Sequence, residues 1–149
     1  MNNIGNKIVK QAQQFLGVKE KKGNSGFDSE EVLELMVAAG WKKGEAWCMY
    51  AVEIVYRLVY ARENSYIERD FDYLLSSSAT QTLQNVKRST KYRDLISDKP
   101  VVGAIAIWQN YVNGKPSWTG HGAIVESFTE TEVSTIDGNT NAAGSRGGG

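Results

Sequence analysis

The spacing of apolar residues changes once along the chain, near Pro100, and that change limits the possible folds more than any other feature. Before it, apolar side chains recur at three- and four-residue steps, as on one face of a helix. Ile4, Ile8, Val9, Ala12, Phe15 and Leu16 predict a short amphipathic helix that stops at Gly17. Residues 18–26 are polar and glycine-rich and read as a loop. Asp28 or Ser29 can cap a second helix, with Glu30 and Glu31 in its first turn, Val32, Leu33, Leu35, Met36 and Ala39 on its apolar side, and Gly40 at its end. A third helix starts at Cys48 and runs to about Arg62, with Ala51, Val52, Val55, Leu58 and Val59 inward. Residues 63–75 carry no clear period; Tyr66, Phe71, Tyr73 and Leu74 are expected to pack on the core. Ser77 or Ser78 can cap a fourth helix, and residues 87–99 read as a surface connection.

Beyond Pro100 the runs are of β type. Residues 101–108, 121–128 and 133–137 predict three strands, with a loop over the polar residues 110–120 and a turn near Glu130. Helices followed by strands in meander order give an α+β fold, N-terminal helices packed on a C-terminal antiparallel sheet. At 149 residues, one domain over 1–141 is expected, and the tail 142–149 has almost nothing to bury.

The chain has one cysteine and one histidine, both at element ends. Cys48 falls in the first turn of its helix, where backbone N–H groups favour an anion and hence the nucleophilic thiolate. A register that sets Phe128 opposite Glu132 also sets Ile124 opposite Ile136 and His121 opposite Asn139, with Asp137 directed to the same face. A one-residue slip would turn Asp137 and Asn139 away. If the Cys48 helix packs on that face, a Cys–His–(Asn/Asp) arrangement results. The imidazole takes the thiol proton, a polar partner holds the ring, and the thiolate attacks a carbonyl carbon. Either Asp137 or Asn139 can be that partner. The chemistry needs no cofactor and no metal, and one histidine with one cysteine gives no recognisable zinc site.

With 17 basic and 17 acidic residues the formal charge is zero, which argues against a general electrostatic grip on nucleic acid or anionic lipid. No apolar run approaches the roughly 18 residues a membrane span needs. The N-terminal residues lack a signal peptide's apolar region, so action outside the cytosol would depend on another means of export or release, or on a signal already removed.

Four blocks carry a resemblance: Ala46-Trp47-Cys48 opening a helix, residues 103–108, residues 120–125, and Ile136-Asp137-Gly138-Asn139. Together they resemble the CHAP family, the cysteine, histidine-dependent amidohydrolases/peptidases of the NlpC/P60-like, papain-related superfamily. Residues 17–20 and 23–26 are similar to the entry segment of CHAP-like proteins of phages and bacteria, and the likeness runs from about residue 8 to residue 146. The chain departs from the family where Ala104 stands in place of a common acid and Ala51 in place of a common aromatic. The resemblance implies a papain-like core, Cys48 as nucleophile, His121 as general base, and Asp137 or Asn139 orienting the ring. It implies the peptide of bacterial peptidoglycan as substrate, cut as an N-acetylmuramoyl-L-alanine amidase or as a stem or cross-bridge endopeptidase, with action at the cell wall. Trp47, Tyr50, Trp108, Tyr111 and Trp118 would then line the substrate groove. The tail stops short of the family's last segment. A non-catalytic module binding peptidoglycan or a protein through the same groove is the rival reading, and a cysteine enzyme with another acyl substrate is a third. Oligomeric state is not legible.

Overall fold

The computed structural model describes residues 3–139. The expected tail, 142–149, lies outside them. The architecture is α+β: five helices and one 3-10 turn precede and flank a three-stranded antiparallel sheet of order β1-β2-β3. The helices are α1 (Ile4–Gln13), α2 (Glu30–Ala38), α3 (Cys48–Arg62), α4 (Ile67–Leu74) and α5 (Ala79–Arg88), and the strands are β1 (Ile105–Val112), β2 (Lys115–Phe128) and β3 (Val133–Ile136).

Local chemistry explains the helix starts. The side chains of Asn3, Ser29 and Ser78 accept backbone N–H groups at the heads of α1, α2 and α5, removing donors that the helix cannot satisfy itself. α3 begins at Cys48 as its spacing predicts, but Trp47 before it provides no side-chain cap. Through Met49, Val52, Val55 and Val59, α3 contributes to a core shared with Ile8, Val9 and Ala12 of α1, Val32 and Met36 of α2, and Ile124 of β2. No helix among the described residues is long and apolar enough to cross a membrane.

Three expectations are corrected. Residues 110–120 are not a loop. β1 runs on to Val112 and β2 starts at Lys115, joined by the two-residue turn Asn113-Gly114, both with positive φ (50° and 74°). That backbone matches the twist of paired strands, and Asn-Gly is the pair that adopts it with least strain. The hairpin's polar composition reflects exposure, since it extends past the core. Residues 63–75 contain α4, which buries Phe71 and Leu74 but leaves Tyr66 and Tyr73 exposed. At the second hairpin, Phe128 faces Val133 rather than Glu132, and a bulge between Val125 and Ser127 absorbs the difference. Nearer the site Ile124 faces Ile136, the pairing expected there.

Candidate active site

The site lies where the head of α3 meets β2 and the segment that leaves β3. His121 sits on the central strand, hydrogen-bonded along β1, directly opposite Trp108. The two rings stack with centroids 5.8 Å apart and planes 28° from parallel, so the indole covers one face of the imidazole. On the ring edge, His121 Nε2 lies 2.7 Å from Asp137 Oδ2. Thr135, two residues earlier, donates its hydroxyl to the other carboxylate oxygen, Asp137 Oδ1. Asp137 is thus held from both sides.

Electrostatics follow from this geometry. The hydrogen bond to Asp137, then the interaction with Cys48, outweighs partial burial and pushes the His121 imidazole up to about 9. Burial raises the Asp137 carboxyl, but the hydrogen bonds from His121 and Thr135 overcome it, and the net movement is downward. A ring raised this far favours the imidazolium form at neutral pH, with the Asp137 carboxylate bonded to Nε2 and the Cys48 side chain acting on the ring as well. With Nε2 committed to Asp137, Nδ1 is the nitrogen left for Cys48. It is buried, and the Cys48 side chain is the second group, after Asp137, that raises the imidazole.

Cys48 is buried and is the first residue of α3. The first bond inside that helix runs from Ala51 N to Trp47 O, 2.9 Å, so the N–H groups of residues 48–50 have no acceptor within the helix. The positive end of a helix favours the ionised form of a thiol carried in its first turn.

Asp137, one of the two candidates for orienting the ring, bonds it directly. Asn139 is almost fully buried and accepts the backbone N–H of Trp47 through Oδ1 at 3.1 Å. Between them, Gly138 passes so close to α3 that an added Cβ would lie 2.7 Å from both Ala51 Cβ and Trp47 Cζ3. Asp137 and Gly138 also border an apolar cavity of about 100 Å³ lined by Phe15, Met36 and Ile136.

The five aromatics expected along a groove divide. Trp108, Tyr111 and Trp118 are exposed, Trp118 at 83% and Tyr111 at 64%, and Trp108 alone touches a proposed catalytic ring. Trp47 and Tyr50 belong instead to the buried core. The Trp47 indole meets Phe27 edge-on, centroids 5.0 Å apart, and donates Nε1–H to Glu20 Oε2 at 2.5 Å. The Tyr50 hydroxyl donates to Glu45 Oε2 at 2.9 Å. A helix head packed against a sheet buries its first turn, which is why residues flanking Cys48 point inward.

Sequence reasoning missed Thr135 and Glu20. Thr135 shares a strand face with Asp137 by simple alternation. A buried indole N–H requires an acceptor, and Glu20 follows as the carboxylate of the neighbouring loop. Among the described residues, no group of three or more His, Cys, Asp or Glu side chains is gathered to hold a metal ion. No protein-family model, no curated protein and no solved structure matches the chain.

Proposed function

We propose that the chain is a cysteine amidase or peptidase of CHAP type, built on a papain-like core, that hydrolyses an amide bond in the peptide of bacterial peptidoglycan. One observation carries the reading: a single imidazole bonded through Nε2 to Asp137 and also acted on by the sulfur of Cys48. A buried structural histidine has no need of a carboxylate on one side and a helix-terminal thiol on the other.

In the proposed reaction, the Cys48 thiolate attacks the carbonyl carbon of the scissile amide. The C=O π electrons move to oxygen, and N–H groups of the first turn of α3 stabilise that charge. As the intermediate collapses, the C–N bond breaks and the His121 imidazolium gives its proton to the leaving amine. The neutral imidazole then takes a proton from water, whose oxygen attacks the thioester. The C–S bond breaks, the carboxylic acid departs, and the thiolate–imidazolium pair is restored. Asp137 stays ionised and holds the ring by Nε2 throughout. The proposed site of action is the cell wall, reached by export or phage release.

The test is mass spectrometry of soluble fragments released from purified peptidoglycan by wild type and by Cys48→Ala. Fragments from wild type alone support the reading, and their masses name the bond cut. A folded wild type that releases none from a panel of wall types would instead favour a binding module.

A further inference from the structure

We infer that Asn139 is a positioning residue for the nucleophile and not for the base: it fixes the backbone turn that presents Cys48. The inference deepens the hydrolase reading and rests on it. Asn139 Oδ1 accepts the N–H of Trp47, the residue immediately before the nucleophile, in a bond buried at both ends and spanning most of the chain. α3 needs such outside help. α1, α2 and α5 are each capped by the side chain of the residue that precedes them, whereas Trp47 caps nothing. In a capping box, the N–H of the residue before the helix is held by a Glu or Gln at the third helical position. Here that position is Tyr50, whose hydroxyl is spent on Glu45. Asn139 supplies the missing acceptor from across the fold.

The arrangement suits a nucleophile. A Ser or Asp at position 47 would claim a first-turn N–H for its own side chain, the kind of donor an oxyanion requires. Holding the turn through the Trp47 N–H avoids that competition. Asn139 has φ of +57°, a left-handed conformation that asparagine tolerates better than most residues. Asp137-Gly138-Asn139 therefore touches both halves of the reacting pair. Asp137 holds the base, and Asn139 holds the backbone beside the sulfur.

Asn139→Gly tests this, since glycine keeps the positive φ and removes only the side chain. Three quantities are read: iodoacetamide alkylation of Cys48 against pH, His121 titration by NMR, and kcat and KM on peptidoglycan fragments. The expected result is an acid limb of alkylation displaced to higher pH, and kcat down about 10- to 100-fold with KM nearly unchanged. The His121 titration should fall much less than in Asp137→Asn. Replacing the Trp47 amide by an ester, through its α-hydroxy acid, deletes the donor instead. It should reproduce Asn139→Gly, and the two together should add nothing. The inference is overturned if Asn139→Gly lowers the His121 titration as far as Asp137→Asn does. It is equally overturned if the folded glycine variant, or the ester, alkylates as wild type does. Alkylation needs no substrate, so a wild type inert on cell walls would count against the hydrolase reading and leave this test standing.

Discussion

A single methyl group added at Gly138 should disable the site from behind. In Gly138→Ala the new Cβ would sit 2.7 Å from Ala51 Cβ, 2.7 Å from Trp47 Cζ3 and 2.8 Å from Trp47 Cε3. Carbon atoms in contact prefer about 3.5–4.0 Å, so something must give way by about 1 Å. Ala51 Cβ is fixed to the second turn of α3, and the Trp47 ring is braced by Phe27 and tied to Glu20. The mobile partner is the 137–139 segment itself. Overpacking of this kind costs about 1–3 kcal/mol. For a chain of this size each kcal/mol lowers Tm by about 2–4 °C, so a fall of about 2–12 °C is expected. A displacement of about 1 Å between Asp137 and His121 should lower turnover about 100-fold. Calorimetry gives the first number, and release of soluble fragments from peptidoglycan gives the second. A Gly138→Ala protein with wild-type Tm and turnover would refute the claim that this close approach sets the site.

Three further outcomes follow from the geometry. The His121 imidazole, near 9 in the fold against 6.5 unperturbed, stabilises the protein fully below about pH 6.5 and loses that contribution as pH rises through about 9. Asp137, lowered in the fold, contributes above its unperturbed 3.8 and loses that as pH falls through its folded value. Stability against pH, by denaturant titration, should therefore decline on both flanks, and Asp137→Asn should bring the alkaline decline toward neutrality. Cys48→Ala should abolish turnover with an unchanged circular dichroism spectrum, and EDTA should leave wild-type activity intact. Trp108→Ala removes the stacked face of the imidazole, a contact worth about 0.5–1.5 kcal/mol, so a fall in kcat of about 2- to 15-fold is expected from steady-state kinetics.

The parts legible in the sequence are those governed by local rules. α3 from Cys48 to about Arg62 follows from periodicity, and capping chemistry narrows two helix starts to a pair of residues each, of which Ser29 and Ser78 are the caps; the pairing of Ile124 with Ile136 holds although the Phe128–Glu132 register assumed for it does not. The β1–β2 hairpin was hidden because a strand exposed beyond the core is polar, and composition then resembles that of a loop. Its signal was the Asn113-Gly114 pair. The burial of Trp47 and Tyr50 depends on how α3 docks on the sheet, a tertiary fact with no one-dimensional trace. The choice between Asp137 and Asn139 turned on which side of Gly138 meets α3. Two polar residues flanking a glycine look alike in a sequence and point at different partners in space.

The proposed nucleophile and its proposed base belong to opposite halves of the chain, Cys48 on a helix of the N-terminal half and His121 on the central strand of the sheet. Their meeting is a long-range contact, formed late because distant segments must close a large loop first. Synthesis delivers the N-terminal half first. The emerging helix carries a thiol with no imidazole beside it, and the imidazole comes under the Asp137 carboxylate only when β3 has folded back onto β2. On the proposed mechanism, chemical competence is thereby coupled to the pairing of β2 with β3: a nascent or partly unfolded chain carries the sulfur before the imidazole is in place beside it.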